Sequence, residues 1–155
     1  MLIRKMTLED VSAAVEIENQ CFSLPWSEKS FEESIHREDT IFLVCEDNAA
    51  DNGQVEVPVI VGYMGLYVSF DEASVTNVAV SPNCRKKGYG EGLVVAAKEA
   101  VKAAGADKIF LEVRISNHPA ISLYKKQGFK ELGIRKKFYE HPVEDAYIMM
   151  CNLNE

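Results

Sequence analysis

Between Thr40 and Val80 three β-type runs follow one another with no helical pattern between them, and from Gly90 onward helical and β-type runs alternate. This change of rhythm limits the fold more than any other feature of the chain. Runs joined without a helix can pair only as an antiparallel meander, whereas runs separated by a helix can also pair in parallel. Thr40–Cys45, Val57–Ser69 and Ala73–Val80 are therefore expected to form a meander. The stretch Glu46–Glu56 is polar and contains Asn52–Gly53, so it is expected to be a hairpin loop. Gly62 and Gly65 suggest a bulge in the second run, and Asn77, polar in an apolar run, suggests one that splays strands apart.

The flanking segments complete an α+β pattern. Leu2–Met6 reads as a first strand, and Thr7 with Asp10 resembles a capping box opening a helix that continues to about Cys21. Ser27 is expected to cap a second helix that buries Phe31 and Ile35. Later come a helix over about Gly90–Ala104 ended by Gly105, a strand at Lys108–Val113, and a helix from His118 to Gln127 closed by Gly128. Phe129–Phe138 and Asp145–Leu153 are the final strands. With 155 residues, no repeat and no linker, residues 1–155 are expected to form one domain.

Charge separates along the chain. Residues 1–75 hold 4 Lys/Arg and 15 Asp/Glu, a balance of −11, whereas residues 76–155 hold 13 and 9, a balance of +4. A net charge of −7 argues against nucleic-acid binding, and no apolar run is long enough to span a membrane. The start MLIRKMTLED has no signal-peptide core, so a cytoplasmic location is expected. The four cysteines form no C-x-x-C pair and the three histidines are scattered, so the expectation is free thiols and no metal.

The junction AVSPNCRKKGYGEG, Ala79–Gly92, places a basic, glycine-rich loop between a strand and a helix. Unpaired N–H groups and the helix dipole make such a start an anion site. No Lys-Ser/Thr follows the glycines, which excludes a Walker loop, and a third dinucleotide glycine would fall on Leu93. Arg85-Lys-Lys-Gly88-Tyr-Gly90 resembles the R/Q-x-x-G-x-G/A pyrophosphate motif of the GNAT acetyltransferases. Leu111–Phe129 resembles that family's second motif. The stretch from Cys21 to Phe31, Leu111-Glu-Val-Arg114 with Ser116-Asn117, Leu123-Tyr124, Gly128-Phe129 and Glu144-Asp145-Ala146 are similar to the bacterial ribosomal-protein-alanine N-acetyltransferases. The polar stretch between Cys45 and Val59 is longer than that resemblance leads one to expect.

The resemblance implies a mixed, mostly antiparallel sheet of six or seven strands flanked by about four helices, and acetyl-CoA as cosubstrate without a metal. It implies contacts to acetyl-CoA from Val78, Ala79, Val80, Arg85, Lys86, Lys87, Gly88, Tyr89, Gly90, Glu91, Asn117 and Tyr124. It assigns Glu112 as proton acceptor and Tyr124 as proton donor to the departing sulfur. Alternation puts Phe110 and Glu112 on one strand face, where the other reading of Glu112 is a structural pair with Arg114 or a lysine. Tyr124 reads otherwise as a core tyrosine, Asn117 as an N-cap and Trp26 as a packing anchor. Pro25, Trp26, Glu72, Asn77 and Tyr139 are the expected peptide contacts. The implied reaction is acetylation of a protein N-terminal α-amine, with a ribosomal-protein N-terminus as substrate and the enzyme a monomer or weak homodimer. Alternatives are a lysine or small-amine acetyltransferase and a non-catalytic acyl-CoA sensor.

Overall fold

The computed structural model describes residues 1–51 and 55–155. The elements run β1 (Leu2–Lys5), α1 (Val11–Cys21), α2 (Glu28–Ile35), β2 (Thr40–Asp51), β3 (Val55–Ser69), β4 (Glu72–Val80), α3 (Tyr89–Ala103), β5 (Lys108–Arg114), α4 (His118–Lys126), β6 (Lys130–Glu140) and β7 (Val143–Asn152). The strands form one seven-stranded sheet in the order β1-β2-β3-β4-β5-β7-β6. All neighbours are antiparallel except β4 and β5. The meander and the later α/β alternation lie where the hydrophobic pattern places them.

The expected Glu46–Glu56 loop is corrected. β2 and β3 continue as paired strands, Glu46 opposite Ile60 and Asp51 opposite Val55. Once two strands are in register, each further pair satisfies backbone N–H and C=O groups whatever the side-chain polarity. The Asn52–Gly53 turn lies outside the described residues.

Helices cover both faces of the sheet. Leu93, Val94, Ala97 and Val101 of α3 and Ile121 of α4 pack with Met64, Leu66, Ile109, Leu111 and Met149 on one face. Val11, Ala14 and Ile17 of α1 and Phe31 of α2 pack with Phe42, Val44 and Tyr63 on the other. A bulge on β4 sets which residues face which layer. Gly65 pairs with Asn77 but Leu66 pairs with Val75, leaving Thr76 extra. Side chains alternate across a strand, so one extra residue inverts the pattern beyond it. Ala73 and Val75 face the α3 layer before the bulge, and Val78 and Val80 do so after it. Asn77 is thereby turned toward α1, where its amide meets Glu18. The bulge expected at Asn77 is thus one residue away.

β4 and β5 pair only at Glu72–Lys108, Ala73–Ile109 and Ser74–Phe110. Beyond these residues β4 keeps β3 and β5 keeps β7, and the two strands diverge. The sheet therefore has a wedge-shaped opening in its middle, with the β4 edge from Val78 to Val80 free of a strand partner on that side.

Candidate active site

The loop Ser81–Gly88 stands at the mouth of the wedge. It contains a 3-10 turn at Pro82–Cys84 and leads directly into α3. Gly88 caps that helix with φ +85°, and a Cβ built there meets nothing within 4 Å. The conformation selects glycine here, not crowding. Arg85, Lys86, Lys87 and Gly88 are exposed, so three cations and the open helix start face outward together. Arg85 reaches back to the Val80 carbonyl at 3.4 Å and to Cys21 Sγ at 3.4 Å.

Two further expected cofactor contacts, Tyr89 and Glu91, are anchored behind the loop. Tyr89 is buried and donates to Asp47 of β2 at 2.6 Å. That bond holds the phenol up at about 12 and the Asp47 carboxyl below its ordinary value. Glu91 accepts from Gln127 Nε2 at 3.0 Å and pairs with Lys126 at 3.2 Å, joining α3 to the end of α4. Asn117 caps α4, its Oδ1 accepting from Ala120 N–H at 3.3 Å.

Glu112 is half-buried on β5, on the strand face away from the α3 layer. Its ion-pair partner is Arg135 of β6, at 3.0 Å, and not Arg114 or a lysine. Arg114 is drawn elsewhere, to Glu144 at 3.1 Å and to the carbonyls of His141 and Pro142 at 3.3 and 3.0 Å. Its guanidinium also lies 4.2 Å from the centre of the Tyr139 ring. Ser116 N–H donates to Glu144 at 2.8 Å, and this bond, followed by Arg114, holds the Glu144 carboxyl low.

Tyr124 is buried in the α3-side core against Phe129, with ring centres 5.5 Å apart. Among the described residues its hydroxyl has no hydrogen-bond partner, and no fully enclosed side-chain oxygen is left unpaired. The hydroxyl therefore touches the molecular surface. Burial, with a smaller push from Tyr139, raises its pKa from the ordinary 10.0 to about 12. Burial also raises Tyr139, which lies within electrostatic reach of Arg114, Glu112 and Glu144. Tyr139 thus lies within electrostatic reach of both expected proton-transfer residues.

Tyr124 makes part of the stability depend on pH. Its folded pKa lies above its unfolded one, so the contribution is fully present below about pH 10 and is lost as pH rises through about 12. Tyr124→Phe should lose roughly 2–3 kcal/mol less than the parent over that interval, read from urea melts at pH 9 and pH 12.

On the other bank of the wedge the α1–α2 loop carries Pro25, exposed, and Trp26, half-buried against Phe31 and Phe42 at 5.4 and 6.0 Å. Ser23 Oγ donates to the His141 carbonyl at 2.5 Å, which joins this loop to the β6–β7 turn. The structure does not bring Glu72 to this place. Glu72 starts β4 at the closed end of the wedge, six residues or about 20 Å from Val78. Asn77 is near but buried, its amide used by Glu18 and Thr76.

Sequence reasoning missed Glu18 and Arg135. An acidic residue in a helix of mixed polarity reads as a solvated one, and only the packing shows that Glu18 is 2% exposed. Arg135 sits in a basic run that gives no hint of its partner. Among the described residues no group of three or more His, Cys, Asp or Glu side chains is placed to hold a metal, and no helix is long and apolar enough to cross a membrane.

A free strand edge beside a cationic, glycine-started helix suits an extended ligand that ends in phosphates. Glu112 on the diverging part of β5 is a carboxyl that can accept a proton at the reactive end of such a ligand. The acetyltransferase (GNAT) family model matches residues 11–129. A Bacillus subtilis protein provisionally named ribosomal protein bS18-alanine N-acetyltransferase is 39% identical over 154 residues, 99% of this chain and 96% of that protein. The Escherichia coli K12 ribosomal protein bS18-alanine N-acetyltransferase is 33% identical over 95% of this chain and 94% of its own. The crystal structure of the Escherichia coli ribosomal-protein-S18-alanine N-acetyltransferase superposes with a TM-score of 0.80 at 31% identity, covering 98% of this chain and 93% of that one.

Proposed function

The chain belongs to the acetyltransferase (GNAT) family, and from that premise we propose that it transfers the acetyl group of acetyl-CoA to the N-terminal α-amine of a protein, an N-terminal alanine of a small-subunit ribosomal protein, by direct transfer in a ternary complex. One observation carries the reading: β4 and β5 part after three pairs, with the basic loop and the α3 start at the end of β4 and Glu112 on the diverging part of β5.

The residues fit acetyl-CoA. Arg85, Lys86, Lys87 and the N–H groups at the start of α3 take the pyrophosphate, and the free Val78–Val80 edge takes the amide arm as an added strand. Acetyl-CoA supplies an activated acyl group as a thioester. Backbone donors near Val80 polarise its carbonyl. Glu112 accepts the proton that the α-ammonium must lose, and an amine with an ordinary pKa of about 7.7–8.0 asks little of such a base. Tyr124, neutral far beyond physiological pH, gives its proton to the departing sulfur and regains one from the second proton that the nitrogen sheds as the amide forms. The bond formed is N–C and the bond broken is C–S, so no redox partner is needed.

The acidic first half of the chain supports a basic peptide as acceptor. The test is a peptide panel with acetyl-CoA, read by mass spectrometry. Basic peptides that start with alanine should gain one acetyl group at the α-amine, and the same peptides blocked at the N-terminus should gain none. Acetylation that survives blocking, or that occurs only on lysine, would move the acceptor to a side chain.

A further inference from the structure

Glu18 is 2% exposed, yet none of the three groups bonded to it is a cation. Its Oε2 accepts from the Trp26 backbone N–H at 2.8 Å. Its Oε1 accepts from the Tyr63 hydroxyl and, at 3.4 Å, from Asn77 Nδ2. One helix residue thereby ties down the α1–α2 loop, β3 and the bulge on β4. A buried carboxylate is costly unless its lone pairs are used, and here both oxygens are used to join separate elements.

We propose that Glu18 is a positioning residue that sets the α1–α2 loop against the free edge of β4, so that the acceptor side and the acyl side of the wedge keep a fixed spacing. The inference rests on the proposed function, in that it gives these two banks their roles. Asn77 immediately follows the extra residue of the bulge, and its position sends Val78 and Val80 to the α3 layer. Trp26 packs on Phe42, and Phe42 and the Asn77 amide both crowd Gly65, where a Cβ would lie 2.4 Å from Phe42 and 2.7 Å from Asn77 Oδ1. Glu18 closes this chain of contacts on the side of α1. Its oxygen on Trp26 places the loop that carries Pro25, and its oxygen on Asn77 places the strand whose edge takes the thioester arm. Since it is buried, it acts through these groups and not by touching a substrate.

Trp26 is the only tryptophan, so its fluorescence reports the loop directly. In Glu18→Ala the emission should shift to the red and become more accessible to acrylamide. KM for an alanine-starting peptide should rise about tenfold or more, while the Kd for CoA stays within about threefold. Glu18→Gln keeps an oxygen for Trp26 N–H and loses the acceptor for Asn77, so its KM should rise only about three- to fivefold with emission near that of the parent. An unchanged peptide KM in both variants overturns the proposal, as does a loss of CoA affinity as large as the loss for peptide. If Glu18→Ala gives no cooperative thermal transition, the KM of Glu18→Gln decides. If the parent protein acetylates no peptide, the proposed function fails by itself, and Trp26 emission still decides this inference: a red shift in folded Glu18→Ala supports it and an unmoved spectrum overturns it.

Discussion

Glu112→Gln should lower kcat for an alanine-starting peptide by about 10²–10⁴-fold near pH 7, with the Kd for CoA unchanged within about threefold. Glutamine keeps the shape of the side chain and an oxygen for Arg135, which lies 3.0 Å from Glu112, so the link between β5 and β6 survives. What it lacks is the capacity to take a proton. The expected pH dependence follows from the acceptor. Below its pKa of about 7.7–8.0 an α-amine is mostly protonated, so a variant without a base should gain roughly tenfold in rate for each pH unit until that value is passed. The parent should show a flatter profile over the same range. Steady-state kinetics from pH 6.5 to 9 make the comparison. A kcat within threefold of the parent would leave Glu112 with a structural role only, as the partner of Arg135 in a half-exposed ion pair, which by itself contributes about 1 kcal/mol or less.

Tyr124→Phe should lower kcat by about 10²-fold, again with little change in CoA affinity. The substitution removes only the hydroxyl, and the ring remains packed against Phe129 in the core, so the fold should persist. The loss is expected at the lower end of the range for general acid catalysis because the leaving group is a thiolate. A thiol of pKa about 8.5 departs without full protonation far more readily than an alkoxide would. A smaller thiolate pKa should therefore shrink the defect, and an acetyl thioester of a more acidic CoA analogue would show this as a ratio closer to one. An unaltered kcat would make Tyr124 a core residue whose unpaired hydroxyl has no part in the reaction. Since the two substitutions act on different proton transfers of one reaction, the double variant should fall well short of the product of the two losses.

Several candidate site residues were legible because each breaks a local pattern. Glu112 is an acid in the apolar strand Ile109–Val113, and the Arg85–Gly90 loop combines three cations with two glycines between a strand and a helix. The alternatives left open at Trp26 and Asn117 resolve toward packing and capping, which are local roles compatible with a place beside the site. Glu72 lies apart from them for the opposite reason. Nothing in the chain says which end of β4 diverges from β5, and the three pairs that hold Glu72 to Lys108 put it at the closed end. The partner of Glu112 was equally hidden. Arg114 lies two residues along the same strand face, but Glu144 and the turn carbonyls of His141 and Pro142 claim its guanidinium.

The meander, the alternation that follows it, and the basic loop between strand and helix are legible in the chain, because side-chain period, turn residues and helix starts are local properties. How far β2 and β3 run, where β4 leaves β5, and the turn of Asn77 toward a buried Glu18 after the unpaired Thr76 are set by packing between distant segments. Those outcomes depend on registers and contacts between residues 45 and 59 positions apart, from Glu18 to Tyr63 and to Asn77, and no local pattern encodes which distant group will supply a buried carboxylate with its donors.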